Sequence, residues 1–235
     1  MKKSAPYITA SLALLLLLSW ECDVAGQESD LRNRLEFSLG PSIPYAEFAE
    51  SSFSSNSGFS TIGLNSQLEI VHYTPFELVG FYSSFGYATM FFNEAGYLSE
   101  YERLLGSKDE VIVQTGNYFF LHLHGGMHIR WPKIQRVRVI IKFGLGYSLY
   151  MHPALSASHS YWGDLNSVNR DFDLQPGSTA GINLEYHLDD FTGVQFSYSI
   201  VASRPDFQDT EGYRMNTFYQ TVRYQNINIG LTRHF

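Results

Sequence analysis

The segment VRYQNINIGLTRHF, residues 222–235, alternates along most of its length. Ile227, Ile229, Leu231 and Phe235 fall on one face, and Asn226, Asn228, Gly230, Thr232 and His234 on the other. Period two predicts a strand lying between two unlike environments. The sequence ends on an aromatic residue of the apolar face, and the rest of the chain reads as a barrel that closes onto this strand.

Seven earlier stretches alternate in the same way. The first sets Leu35, Phe37, Leu39 and Ile43 against Arg34, Glu36, Ser38 and Gly40. The second, about 59–73, sets Ile62, Leu64, Leu68 and Ile70 against Gly63, Asn65, Gln67 and Glu69; the third, about 78–91, sets Val79, Phe81, Phe85 and Tyr87 against Gly80, Tyr82, Ser84 and Gly86. The fourth, about 118–131, carries His122, His124, His128 and Arg130 opposite Leu121, Leu123, Met127 and Ile129. The fifth is the most regular, with Val137, Val139, Ile141, Phe143 and Leu145 opposing Arg138, Lys142, Gly144 and Ser148. The sixth opposes Ile182, Leu184 and Tyr186 to Asn183, Glu185 and His187, and the seventh opposes Val194, Phe196, Tyr198 and Ile200 to Gln195, Ser197 and Ser199. Long connections (44–58, 93–116, 152–173, 203–218) alternate strictly with short ones near 74–76, 132–135 and 189–190. Within the second long one, Tyr97 to Leu105 could form a helical turn or two. Transmembrane barrels alternate their connections in this manner, and a soluble sandwich has no reason to. The expected fold is all-β: an eight-stranded antiparallel up-and-down transmembrane β-barrel. An even strand number places both termini on the short-turn, periplasmic side.

Alternation alone does not say which face is inside. A soluble lipocalin-like ligand-binding barrel would turn its apolar face inward; a membrane barrel does the reverse. Glycine separates the two. Gly40, Gly63, Gly80, Gly86, Gly126, Gly144, Gly146, Gly181 and Gly230 all share the polar face. A solvent face gains little from glycine, whereas the narrow lumen of eight strands needs small residues. Parity then assigns Arg34, Glu36, Glu69, Arg138, Lys142 and Glu185 to a lumen polar network, with Tyr82 and Phe120 as filler. Lys142 and Glu185, on consecutive strands, are the first candidate pair; Arg138 and Glu69 are the alternatives. Tyr73, Trp131, Tyr186, Phe191 and Phe235 near the short turns, and Tyr45, Phe91 and Tyr147 nearer the loops, are candidates for two aromatic girdles.

The N-terminus reads as a secretory signal at 1–26, with Lys2 and Lys3 before an apolar core from Ile8 to Ser19. The rival, a lipoprotein signal at Cys22, is disfavoured by Glu21 directly before the cysteine. Residues 27–33 form a short periplasmic leader, and 34–235 the barrel domain. Cys22 is the only cysteine, so removal of the signal leaves neither disulfide nor thiol. The net charge of −7, with no basic stripe, argues against nucleic-acid binding. The long connections carry a net charge of −8, which leaves the barrel nearly neutral. Acidic loops keep their tips solvated, and could also bind divalent cations, basic partners or surface ligands.

The strand count, loop alternation, signal and terminal Phe235 together resemble the small eight-stranded outer-membrane barrels of the OmpA/OmpX-like and PorT-like groups, with relatives in secretion and gliding systems. The resemblance covers nearly all of the chain beyond the signal. It implies a bacterial outer-membrane location, a lipid environment, and an assembly signal at Ile227, Ile229, Leu231 and Phe235 read by the barrel-assembly machinery. It also leaves room for a surface or secretion-system protein partner. Arg233 departs from the pattern, since such strands often carry an aromatic there.

The residues imply no cofactor. His122 and His124, at i and i+2 on one strand face, could chelate a metal with His128 nearby, but hydrogen bonds to lumen carboxylates are the plainer reading. A lipid-modifying acyl hydrolase or transferase would need His-x-Ser on the lipid face with a carboxylate orienting the histidine. No His-x-Ser occurs; His159 and Ser160 are adjacent in a loop, and outward-facing His72 has no matching serine. An open pore conflicts with the bulk of the inward residues. A structural or binding barrel displaying four acidic loops is the function these residues favour.

Overall fold

A computed structural model describes residues 32–53, 57–75, 78–106, 111–211 and 214–235, with side chains described outside 206–219. The expected signal, and the leader up to residue 31, lie outside the described residues. In chain order the elements are β1 (Asn33–Pro44), β2 (Ser60–Tyr73), β3 (Val79–Phe92), α1 (Glu94–Leu105), β4 (Val111–Thr115), β5 (Tyr118–Arg130), β6 (Val137–His152), β7 (Leu155–His159), β8 (Gly163–Val168), β9 (Asp171–His187), β10 (Thr192–Ser203), β11 (Asp206–Glu211), β12 (Arg214–Tyr219) and β13 (Val222–His234).

Eight of these close an antiparallel barrel in the order β1-β13-β10-β9-β6-β5-β3-β2. Closure is made by nine residue pairs between β1 and β13, from Arg34–His234 to Pro44–Tyr224. Two backbone bonds of 3.0 Å tie Asn33 to Phe235 beyond them. The register fixes the stagger. Stepping round from Arg34 through Val71, Tyr82, Gly126, Gly144, Thr179, Val201 and Tyr224 returns to β1 at Pro44, ten residues further on. A shear of this kind tilts the strands and sets the bore.

The polar face is inside. Arg34, Glu36, Glu69, Lys142, Asn183, Glu185 and Gln195 are buried, while Leu64, Phe85, Leu123, Leu145, Phe196 and Ile229 are exposed on the wall. This excludes the soluble lipocalin-like arrangement. A wall of exposed leucine, isoleucine and phenylalanine this extensive fits hydrocarbon and not water. Within the bilayer only a closed ladder satisfies every backbone donor and acceptor. Trp131, Tyr186, Phe191 and Phe235 are exposed at the short-turn end, and Phe91 and Tyr147 nearer the loops. Tyr73 is a correction: it is fully buried, because its parity places it in the lumen.

The long connections hold more structure than the sequence indicated. β9 begins at Asp171, ten residues before the alternation at Gly181. The second and third loops combine in a three-stranded sheet, β4-β7-β8, and the fourth forms the β11-β12 hairpin. The expected turn or two of helix is α1, twelve residues long. Asn93 caps it by accepting the Gly96 N–H at 2.9 Å, and Gly106 ends it in the left-handed conformation.

Glycine matters where the lumen is tightest. A Cβ on Gly144 would run into the Tyr82 hydroxyl, which reaches over Gly126 from β3 to β6 at that point. Gly144→Val is therefore expected to cost about 1–3 kcal/mol by overpacking, measured by urea unfolding in vesicles. The orientation of the faces has its own test. In a Cys22→Ser background, probes on Ile141→Cys, Leu145→Cys and Ile229→Cys should be quenched by brominated lipid. Probes on Ser148→Cys and Ser197→Cys should not; equal quenching of both sets would contradict the inside-out wall.

Candidate functional site

The lower lumen is filled by one ion-pair cluster. β1 contributes Arg34 and Glu36 two residues apart on the inner face, β2 Glu69, β6 Lys142 and β9 Glu185. Arg34 donates to the Glu36 carboxylate, lies 3.4 Å from Glu69 Oε1, and reaches Glu185 Oε2 at 3.9 Å. Lys142 Nζ sits 3.3 Å from Glu69 Oε2, and His128 Nε2 is 3.1 Å from Glu69 Oε1. Gln195 donates to Glu36 at 2.5 Å, and Gln67 to Glu69 at 3.3 Å. Three carboxylates thus face the buried cations Arg34, Lys142 and Arg130, with Arg130 stacked 3.1 Å over the Tyr73 ring. Burial of this many charges is tolerable because they are matched in sign, with most of the carboxylate oxygens hydrogen-bonded.

The sequence-level pairing of Lys142 with Glu185 is corrected. Register sets Lys142 opposite Gly181 and Glu185 opposite Arg138, four residues along. That is about 13 Å at strand rise. Lys142 instead crosses the bore to Glu69, one of the two alternatives. Arg138 is half-buried at the mouth.

The three candidate metal-binding histidines are buried but are not brought together as one group. His128 belongs to the lower cluster, with Tyr73 hydroxyl 3.3 Å from its Nδ1. His122 and His124 belong to an upper layer. There His122 Nδ1 is 2.6 Å from Ser148 Oγ, Tyr224 hydroxyl meets its Nε2, and Ser148 Oγ is 3.4 Å from His124 Nε2. No carboxylate is hydrogen-bonded to this pair among the described residues. Sequence parity missed the serine–histidine contact because it depends on the β5–β6 register. The cavity beside His122 and His124 measures about 20 Å³, room for about one water. His72 is exposed and bonds Asn33 at 2.8 Å, and His159 stacks on Trp162 at 4.3 Å. None of these assembles a lipid-facing hydrolase site.

Above the upper layer the bore is stopped by aromatics. Phe48, from a short 3₁₀ turn after β1, packs edge-on against Tyr118 at 5.1 Å and Phe120 at 6.0 Å. The loop sheet and α1 then share a small core of Phe59, Tyr97, Leu155 and Ala157. Between this core and the barrel lies a cavity of about 350 Å³, lined by Phe53, Phe59, Phe92, Tyr97, Tyr118 and His152, with Asn166 and Ser57 as polar members. Its size is that of a small-ligand pocket. Tyr97 accepts from Asn166 at 2.9 Å, and burial pushes its phenol above the usual range, so it stays protonated. On the exposed side of α1, the Arg103 guanidinium hydrogen-bonds Glu100 and holds that carboxyl below its usual range.

At the other end Glu185, His187 and His234 converge, with their ligand atoms all within 4.8 Å. His234 Nε2 is 2.9 Å from Glu185 Oε1 and His187 Nε2 3.6 Å from Oε2. Gly193 lies opposite His187, and the His187 and His234 rings stack with centroids 5.2 Å apart. Arg34, Arg130, Arg138 and Lys133 all act electrostatically on this group. So many cations around one carboxylate oppose a further divalent positive charge.

The class of protein is set by this geometry: a closed eight-stranded transmembrane barrel with a charged, filled bore and a folded cap. No family model matches the chain, and no curated protein matches it. Solved structures that resemble it include Neisserial surface protein A, at 7% identity over 86% of this chain and 97% of that one, with a TM-score of 0.46. Ail, the attachment invasion locus protein of Yersinia pestis, matches at 11% identity over 87% and 99%, TM-score 0.45. The outer-membrane protein AlkL matches at 12% over 92% and 95%, TM-score 0.48.

The Lys142–Glu69 contact yields a double-mutant cycle. Lys142→Met alone is expected to cost about 3 kcal/mol, because it strips Glu69 of its buried partner. Added to Glu69→Gln it should cost less, with a coupling of about 0.5–3 kcal/mol. Strictly additive unfolding energies would remove the contact.

Proposed function

We propose that this chain is an integral outer-membrane barrel of structural or binding role, with its bore closed to solutes and its activity carried by the loop end. The observation that supports this most is the pairing of a charge-filled, aromatic-stopped lumen with loops that fold into their own sheet, helix and cavity. Eight strands leave room for side chains and little else, so a function along the bore has no space. The loop cap has a core, and rigidly held loops are where barrels of this size can carry recognition. The cavity between cap and barrel offers an aromatic wall with two or three polar groups, suited to a small apolar ligand or to the side chain of a surface partner. The acidic balance of the loops favours partners that are neutral or basic.

Orientation and closure are tested together. With Cys22→Ser, Ile112→Cys and Tyr161→Cys in the loops should react with an impermeant maleimide on intact cells. Lys133→Cys in the short turn should react only after the outer membrane is permeabilised. Purified protein in planar bilayers should give no stable conductance. Labelling in the reverse order, or a persistent channel, would overturn this reading.

A further inference from the structure

The short-turn end holds a feature that neither the plug nor the cap explains. Between the β2–β3 and β5–β6 turns lies a cleft of about 330 Å³ lined by Pro75, Leu78, Arg130, Trp131, Pro132, Lys133 and Arg138. Among the described residues that line it, three of seven are cations and none is an anion. Arg130 is the telling member. Its residue is only 4% exposed, yet its Nε and one terminal nitrogen have no hydrogen-bond partner. Stacking on Tyr73 supports the flat face of the guanidinium and leaves the N–H edge unanswered. A buried charged donor without an acceptor is costly, and native proteins answer it with a partner. Glu185 acts on Arg130 electrostatically but gives it no hydrogen bond; its Oε1 is taken by His234 at 2.9 Å and its Oε2 lies 3.9 Å from Arg34.

The rim of the cleft says what kind of anion fits. Trp131 and Leu78 face outward and are 63% and 50% exposed, on the wall that contacts hydrocarbon. The turn runs WPKIQR, residues 131–136, so exposed Trp131 and Ile134 are interleaved with Lys133 and Arg136. Tryptophan with basic residues at the end of a membrane-crossing strand is the composition of a headgroup contact. A cationic pocket continuous with an apolar wall suits a group that is anionic at one end and acyl at the other.

We propose that this cleft binds the phosphodiester of an inner-leaflet phospholipid, with Arg130, Lys133 and Arg138 on the phosphate and Trp131 and Leu78 along the glycerol and acyl chain. The assignment rests on the membrane orientation argued above. The lipid would supply the acceptor that Arg130 lacks.

The test uses the full chain in maltoside micelles, which contain no phosphate, with bound lipid counted by native mass spectrometry. One dioleoylphosphatidylglycerol should be retained, and dioleoylglycerol should not. Lys133→Ala with Arg138→Gln, both at exposed or half-buried positions, should weaken retention about 30-fold, at the usual worth of a basic residue beside an anionic lipid. Arg223→Ala, an exposed cation at the loop end, should leave it unchanged. Equal retention of dioleoylglycerol, or retention indifferent to the double variant, overturns the proposal. Displacement of the lipid by inorganic phosphate at comparable concentration overturns the lipid assignment in favour of a free-anion site. Heat-modifiable mobility in SDS is recorded for every variant. A wild-type chain that shows none fails the membrane-barrel reading itself, whereas a folded barrel that retains no lipid fails this proposal alone.

Discussion

Everything in this molecule depends on the ladder between β1 and β13. An open eight-stranded sheet would carry two rows of unpaired N–H and C=O groups, and hydrocarbon has nothing to offer them. Joining Asn33–Pro44 to Val222–His234 removes both edges at once. Closure with a ten-residue stagger then dictates the bore, and the bore dictates what its wall can hold. Small residues stand where chains cross, as Gly144 does beneath Tyr82. Long charged residues stand where they can reach across. The cluster around Glu69 is thus a consequence of closure: Lys142, His128 and Arg34 come from three strands and meet only when the sheet is curled into a cylinder.

That dependence explains what could be read from the residues and what could not. Alternation is a local property, so the strands and their two faces were legible from single stretches such as 137–149. The direction of the faces was legible too, because glycine collected on one side. The identity of contacts across the bore was not, since it depends on register and shear. Lys142 and Glu185 look adjacent when strands are counted, yet the pairing of Lys142 with Gly181 separates them. Tyr73 was misplaced for a simpler reason: a strand-end aromatic reads as a girdle residue unless its parity is followed to the last position. The histidine–serine contact at His122 and Ser148, and the approach of His187 to His234, are likewise products of neighbouring registers.

The loops illustrate a different limit. Residues 155–168 carry serine, asparagine and glycine, with only scattered apolar positions, so they read as irregular. They become strands because β4 lies beside β7 and because Leu155 and Ala157 find Phe59 and Tyr97 to pack on. Such a sheet is stabilised by tertiary contact and not by local pattern, the circumstance in which strand propensity says least. The helix before them was partly legible, as a turn or two at Tyr97 to Leu105; its start at Glu94, capped by Asn93, was not.

A bore filled with matched charge has a consequence for where chemistry can happen. Around Glu36 and Glu69 the ionised groups are paired in sign, with Arg34 and Lys142 set against the carboxylates. The groups that border open space lie at the ends. At the loop end they are the aromatic walls of the cavity beneath the cap, open to what arrives from outside. At the short-turn end they are the N–H edge of Arg130 and the cations beside it. The plug separates these two surfaces with side chains that cannot rearrange without unpairing a buried ion. A ligand held at one end therefore has no soft element through which to act on the other. On the proposed reading the barrel is a post between two independent surfaces, one at the short turns and one at the loops.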